Sequence, residues 1–183
     1  MSDRSRLLEL IREHSFRTGD FLLASGKRSD FYIDLRKTSL TAEGATIIGR
    51  LLLRELDAAG WSPAAVGGLT LGADPLTTAT SMAAFAEGRP LAGFLVRKAP
   101  KDHGTGKRIE RAGDLPDGAA VVVLDDTVTT GGSTLDAVRA AQAEGFQVLG
   151  ALCVVDRGEG GAEALADAGI PLRALFALSD LRG

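Results

Sequence analysis

Five apolar runs of strand length punctuate the second two-thirds of the chain: Ala64–Leu69, Leu91–Val96, Ala119–Leu124, Val148–Val155 and Leu172–Leu178. Most are continuous rather than alternating, the pattern required of strands covered on both faces. Helix-like stretches separate several of them: Pro75–Glu87 after Asp74, Ser133–Glu144 ending at Gly145, and Gly161–Ala168 ending at Gly169. Asp74 followed by Pro75 reads as a helix start, because proline at the first helical position gives up no needed hydrogen bond. Strand–helix alternation of this kind predicts an α/β fold, a parallel sheet with right-handed crossovers flanked by helices. With 183 residues, 45% of them hydrophobic, the chain suits a single domain spanning 1–183.

The first forty residues follow another pattern. Leu7, Leu10 and Ile11, with Ser2 and Asp3 as caps, predict an amphipathic helix. Phe21–Leu23, the polar turn Ser25–Ser29, and Phe31, Ile33 and Leu35 at period two predict a β-hairpin. Thr41 is placed to cap a helix that runs through Ile47, Ile48, Leu51 and Leu52 to about Ala58 and is ended by Gly60. The net charge of −3 gives no reason to expect a nucleic-acid or membrane-surface partner. Met1–Glu13 is too charged for a signal peptide, and no run approaches the roughly 20 apolar residues of a membrane span. The single cysteine, Cys153, lies inside an apolar run, cannot form an internal disulfide and reads as a small core residue. These features fit a cytoplasmic protein.

One segment breaks the alternation. Arg97–Arg111, RKAPKDHGTGKRIER, has no apolar period and carries six Lys/Arg against two acids, a local charge of +4 in an acidic protein. A long connection of this kind is usually functional, and the expectation is a mobile cationic flap over residues 97–111 that closes on an anionic substrate.

The strongest chemical signal is the stretch from Val121 to Thr134, VVVLDDTVTTGGST. An apolar strand ends in two adjacent carboxylates, a turn rich in hydroxyls and glycine follows, and a helix begins near Ser133. Ligands of open α/β sheets bind at the carboxyl ends of strands. Backbone N–H groups, the hydroxyls of Thr127, Thr129, Thr130, Ser133 and Thr134, and the positive end of the helix together offer a seat to an anion. Gly131 and Gly132 let backbone approach a phosphate closely. Carboxylates would repel that phosphate, so Asp125 and Asp126 point to sugar hydroxyls or a metal a few ångströms away. A ribose 5-phosphate has both ends of that description. Gly26-Lys27 and Gly106-Lys107 lack the remainder of a Walker loop, Gly67-Gly68 with Gly72 does not make a dinucleotide fingerprint, and two histidines with one cysteine make no zinc cluster.

Residues 121–134 resemble the diphosphoribosyl (PRPP) signature of type I phosphoribosyltransferases. Three further segments are similar to the orotate branch of that family: Ser25–Asp34 (SGKRSDFYID), Arg97–Gly104 (RKAPKDHG) and Val155-Asp156-Arg157. The resemblance covers most of the chain in the family's order. It implies a type I phosphoribosyltransferase fold in which residues 1–40 form a small hood. It also implies that orotate and PRPP, with Mg2+, give orotidine 5′-monophosphate and pyrophosphate, a step of pyrimidine synthesis. A purine phosphoribosyltransferase and a PRPP-binding regulator without catalysis are the alternatives; Arg157 and the flap favour an acidic pyrimidine, and no added domain or broad basic face marks a regulator.

By matching motif, the resemblance assigns Asp125 and Asp126 to the ribose hydroxyls and Thr127, Val128, Thr129, Thr130, Gly131, Gly132 and Ser133 to the 5′-phosphate. Arg97, Lys98, Lys101 and His103 meet the pyrophosphate, and either Lys27 or Arg28 reaches the PRPP phosphates. Thr129 and Arg157 contact orotate, the guanidinium bonding both carboxylate oxygens. Phe31 and Tyr32 flank the pyrimidine, although Phe31 is equally suited to the core. Lys101, His103, Asp125 and Asp126 make the catalytic set, with Mg2+ carried by PRPP. The loop Gly68–Asp74 matches the family's pyrophosphate loop, but Leu71-Gly72 stands where some members have Tyr-Lys, which removes a cation and leaves the contact to backbone amides. The family's flap reaches into a neighbouring subunit, implying a homodimer with Lys101 and His103 acting in trans. His14 reads as a helix-face residue.

Overall fold

The computed structural model describes residues 1–22, 26, 28–99, 108–113 and 115–182. Lys27, Lys101 and His103, and with them most of the expected flap, lie outside the described residues.

A six-stranded sheet organises the chain, in the order β5–β4–β3–β6–β7–β8. Its strands are β3 (Ala65–Leu69), β4 (Ala92–Val96), β5 (Ile109–Arg111), β6 (Ala120–Val128), β7 (Gln147–Asp156) and β8 (Leu172–Ala177). All neighbours are parallel except β5, which pairs antiparallel with β4 through Phe94–Arg111, Leu95–Glu110 and Val96–Ile109. The order in which strands are added, not their direction, reverses between the parallel neighbours β3 and β6: β3 leads outward to β4 on one side, and β6 to β7 and β8 on the other. A crevice opens where the connections part, and open α/β sheets bind ligands there.

Alternate residues of the strands feed two cores. Val122 and Leu124 of β6 join Leu76 of α4 (Ala73–Ala86) and Ile48, Leu52 and Leu56 of α3 (Ala42–Ala58) in one layer. Val121 and Val123 join Ala137, Val138 and Ala141 of α5 (Gly132–Ala143) and Leu165 of α6 (Gly161–Asp167) in the other. Continuous apolar runs are the direct consequence of this double cover.

The amino-terminal segment forms a two-stranded antiparallel unit, β1 (Phe16–Leu22) with β2 (Arg28–Ile33), preceded by α1 (Asp3–Leu10) and a π-helical turn Ile11–Ser15. Ser2 caps α1, its Oγ accepting from the Ser5 N–H at 3.1 Å, and Thr41 caps α3 through the Gly44 N–H at 3.0 Å. Both caps follow the expectation.

Three expectations need correction. Strand β1 starts at Phe16, five residues before Phe21, and Leu35 leaves β2 to precede a short helix, α2 (Arg36–Ser39). Asp74 is not a cap: α4 begins at Ala73, and the Asp74 carboxyl sits in its first turn with Oδ1 unpartnered among the described residues and its pKa raised by burial. The segment 97–111 is not wholly a loop, since its last three residues form β5; a terminal helix, α7 (Leu178–Arg182), closes the chain.

Candidate active site

Strand β6 extends four residues past the expected end at Leu124, because its pairing with β7 continues through Thr127–Val155 and Val128–Asp156. The two acids therefore sit inside a strand, where successive side chains point to opposite faces. Asp125 turns toward α5. Its Oδ2 accepts hydrogen bonds from Thr134 Oγ1 at 2.6 Å and Ser133 Oγ at 3.0 Å. Asp126 turns the other way, toward the start of α4, and accepts from the Thr127 N–H at 2.8 Å. Burial raises the pKa of Asp125, an effect opposed by the Thr134 and Ser133 hydroxyls. Burial, with the neighbouring Asp125 charge, pushes Asp126 up to about 6.

The turn after β6 ends at Gly131, whose φ of +80° lies in the left-handed region. An added Cβ there would stand 3.1 Å from the Gly161 carbonyl oxygen, so α6 packs closely against the turn. Among the described residues no side chain caps α5, and its first backbone bond into the turn is donated by Leu135 to Gly131. The N–H groups of Gly132, Ser133 and Thr134 are thus left for an anion at the positive end of the helix.

A cleft of about 350 Å³ adjoins this turn, lined by Asp125, Asp126, Thr127, Thr129 and Ser133 from β6 and α5. Leu69–Gly72, following β3, form a second wall, and the Thr70–Leu71 peptide is cis. Tyr32, Ile33, Asp34 and Arg36 come from the end of β2 and the start of α2, Lys98 from beyond β4, and Arg157 from beyond β7. A larger groove, about 940 Å³, runs beside it over Arg36, Leu40, Leu71, Asp74 and Met82. It is the more apolar of the two and holds neither the paired acids nor the open helix end, so the smaller cleft is the candidate for the chemistry.

Several expected site residues meet in the cleft and others do not. Tyr32 and Phe31 are adjacent on β2 and point to opposite faces. Tyr32 is exposed at the cleft, whereas the Phe31 ring is buried in the core beneath the Arg157 guanidinium, 4.7 Å from its centroid. Arg157 also pairs with Glu159 at 2.6 Å, while its Nε is buried without a partner. Val128 is fully buried, and Thr130, Gly131 and Gly132 sit on the turn beside the cleft lining. Arg97 is turned to Glu110 at 2.8 Å, bracing the β4–β5 edge, and Arg28 pairs with Asp20 on the hairpin. Lys98 alone of the described flap residues lines the cleft. Asp34 and Arg36 were given no role in advance; Asp34 closes the SGKRSDFYID segment, and Arg36 falls in the charged DLRK run that follows the period-two strand.

A crevice at the sheet's reversal point, an uncapped helix end, the buried Asp125 and the half-buried Asp126 make a candidate site for a phosphorylated sugar. The phosphoribosyl transferase domain profile matches residues 38–169, and the chain belongs to that family. An orotate phosphoribosyltransferase of Thermosynechococcus vestitus is 48% identical over 178 residues, 97% of this chain and 92% of that protein. One of Mycobacterium avium is 49% identical over 175 residues, covering 96% and 94%. Among solved structures, Mycobacterium tuberculosis orotate phosphoribosyltransferase in complex with PRPP superposes with a TM-score of 0.83 at 40% identity, over 100% of both chains. Within the phosphoribosyltransferases, the chain belongs to the orotate phosphoribosyltransferases.

Proposed function

We propose that the cleft transfers the phosphoribosyl group of PRPP to orotate, giving orotidine 5′-monophosphate and pyrophosphate for pyrimidine synthesis. The observation that carries this reading is the open amino end of α5 set against Asp125 and Asp126. In the reaction the bond from C1 to the pyrophosphate oxygen breaks and its electron pair leaves with pyrophosphate. Orotate N1 closes on C1 as it gives up its proton.

Each demand of that step has a residue. The N–H groups of 132–134 and the hydroxyls of Thr127 and Thr129 seat the 5′-phosphate. Asp126 takes the ribose hydroxyls from one side. Asp125, fixed by Thr134 and Ser133, supports the other. Carboxylate charge in a partly buried crevice favours an oxocarbenium-like ribose beside it. Tyr32 presents its ring to the pyrimidine, and Arg157, held over the Phe31 ring, presents its guanidinium to the orotate carboxylate. Lys98, with Lys101 and His103, offsets charge on the departing pyrophosphate; Arg97, turned to Glu110, takes no part in this geometry. No side-chain nucleophile is involved; positioning and electrostatics carry the step.

The donor set fits a Mg2+ brought by the substrate. Magnesium in phosphate sites is usually held by substrate oxygens, waters and one or two carboxylates. Asp126 is the carboxylate on the ribose side that would hold it; bound there, the ion would neutralise pyrophosphate charge.

The working unit in this reading is a cytoplasmic homodimer. Leu40, Leu71, Met82 and Phe85 are all at least 64% exposed along the apolar groove and the adjoining edge of α4, an unusual concentration of apolar surface that a second copy would cover. Lys101 and His103 would serve the neighbouring site. Among the described residues no helix is long and apolar enough to cross a membrane.

Loss of orotate absorbance on adding PRPP and Mg2+, compared with adenine and hypoxanthine, tests the assignment; turnover confined to a purine refutes it. Mixing Lys101→Ala chains with Asp125→Asn/Asp126→Asn chains tests sharing between subunits. Activity should return in hybrid dimers, and no recovery refutes action in trans.

A further inference from the structure

The loop between β3 and α4, Leu69–Gly72, walls the cleft but contributes no charge to it. A Cβ at Gly72 would stand 2.8 Å from Asp126 Oδ1 and 2.9 Å from its Cγ, so a side chain at 72 would require the carboxylate that faces the ribose to shift. PRPP carries a pyrophosphate that needs cations, and among the described residues only Arg36, Lys98 and Arg157 bring them to the cleft lining. Arg157, which lies over Phe31 and pairs with Glu159, is the cation already assigned to the orotate carboxylate.

We infer that Arg36 is the pyrophosphate-binding cation that the Leu69–Gly72 loop lacks, reaching the leaving group from the amino-terminal unit across the cleft. This rests on the proposed PRPP reading and deepens it by assigning one end of that substrate. Arg36 opens α2 at the mouth of the cleft, where it shares the lining with Gly72, Leu71 and Asp126. Only its Nε is engaged, to Asp34 Oδ1 at 2.8 Å; among the described residues its Nη groups make no hydrogen bond within the protein. The side chain is 46% exposed. Asp34 also accepts from the Arg36 backbone N–H at 3.3 Å, so the carboxylate orients the guanidinium at its root and leaves the fork open. The Arg36 charge acts on Asp126 as well, lowering the pKa that burial raises. An arginine in this position can bond two phosphate oxygens at once, as a single lysine cannot. It also ties the amino-terminal unit to the state of the substrate: the pyrophosphate end is gripped from α2 while the 5′-phosphate end is gripped from α5.

The test is equilibrium binding of two fragments, pyrophosphate with Mg2+ and ribose 5-phosphate, to wild-type protein, Arg36→Gln and Arg36→Lys. Arg36→Gln is expected to weaken pyrophosphate at least tenfold and ribose 5-phosphate less than twofold. Arg36→Lys, which keeps the charge but not the planar fork, should recover only part of the loss. In turnover, the KM for PRPP should rise with little change in that for orotate. Unchanged pyrophosphate affinity in Arg36→Gln overturns the inference, as does an equal loss of both fragments, which would mean a structural role. Failure of the orotate reading shows separately, as absence of orotate turnover by the wild-type protein, whereas the fragment measurements stand without it.

Discussion

Asp126 is held in a place that favours its neutral form, and replacing it by asparagine should stabilise the protein while abolishing its use. The carboxyl rises from an ordinary 3.8 to about 6, chiefly through burial and secondly through the Asp125 charge. The folded state therefore binds this proton more tightly than the unfolded chain. Its favourable contribution is complete below pH 3.8 and is lost as pH climbs through about 6. At about 1.4 kcal/mol for each tenfold change in proton affinity, the loss at pH 8 reaches about 3 kcal/mol. Asparagine keeps an Oδ1 to accept from the Thr127 N–H, 2.8 Å away in the native protein, and carries no charge to desolvate. Asp126→Asn should thus match the wild type in urea unfolding at pH 4 and exceed it by up to about 3 kcal/mol at pH 8. In melting temperature the gain is roughly 6–12 °C for a domain of this size. A variant no more stable than wild type at pH 8, or a difference that does not vary with pH, refutes the argument that desolvation of this acid is a cost of the site. Orotate turnover by the same variant should fall by at least 100-fold, on the order expected for losing one electrostatic contact to a transition state.

Three more perturbations follow from single contacts. Gly131→Ala forces a side chain into the left-handed region and to 3.1 Å from the Gly161 oxygen; it should cost roughly 1–2 kcal/mol of stability and weaken ribose 5-phosphate, both readable in one thermal-shift titration. Cys153 is fully buried and its thiol pKa is pushed up by burial, so it should resist a thiol reagent in native protein and react on unfolding; rapid native labelling contradicts the packing. Arg108→Ala removes a bidentate pair to Asp136, at 2.6 and 2.9 Å, that fastens the start of β5 to α5. Partly solvated, it should cost under about 1 kcal/mol in urea unfolding, and a larger loss would assign the pair a role in holding the sheet edge.

How far the chain announces this structure depends on burial. Strands β3, β4, β7 and β8 fall within one residue of their apolar runs, because both their faces are covered and the hydrophobic pattern is saturated. Strand β6 outran its pattern, since Asp125 and Thr127 stay in register with β7 although they are polar; function there overrides the apolar rule. Strand β5, the edge triplet Ile-Glu-Arg, has one inward residue and no period to detect. Helix α2 owes its place to Asp34 accepting from the Arg36 N–H, a four-residue turn too short for periodicity. At the site, Asp125, Asp126 and the turn to Ser133 were legible from local chemistry alone. The opposite facings of the two acids, the burial of Phe31 and the presence of Arg36 were not, because each is set by a tertiary neighbour: α5 for Asp125, Arg157 over Phe31, and the Gly72 wall beside Arg36.

The central claim is that backbone at the start of α5 seats the sugar's phosphate while the acids of β6 hold the sugar. Amide chemical shifts during titration with ribose 5-phosphate read this directly. The largest changes should fall on the N–H groups of Thr129 through Thr134, saturating together, with smaller ones at Asp126 and Thr127. Saturable changes centred on another part of the molecule, with 129–134 unmoved, would contradict the account.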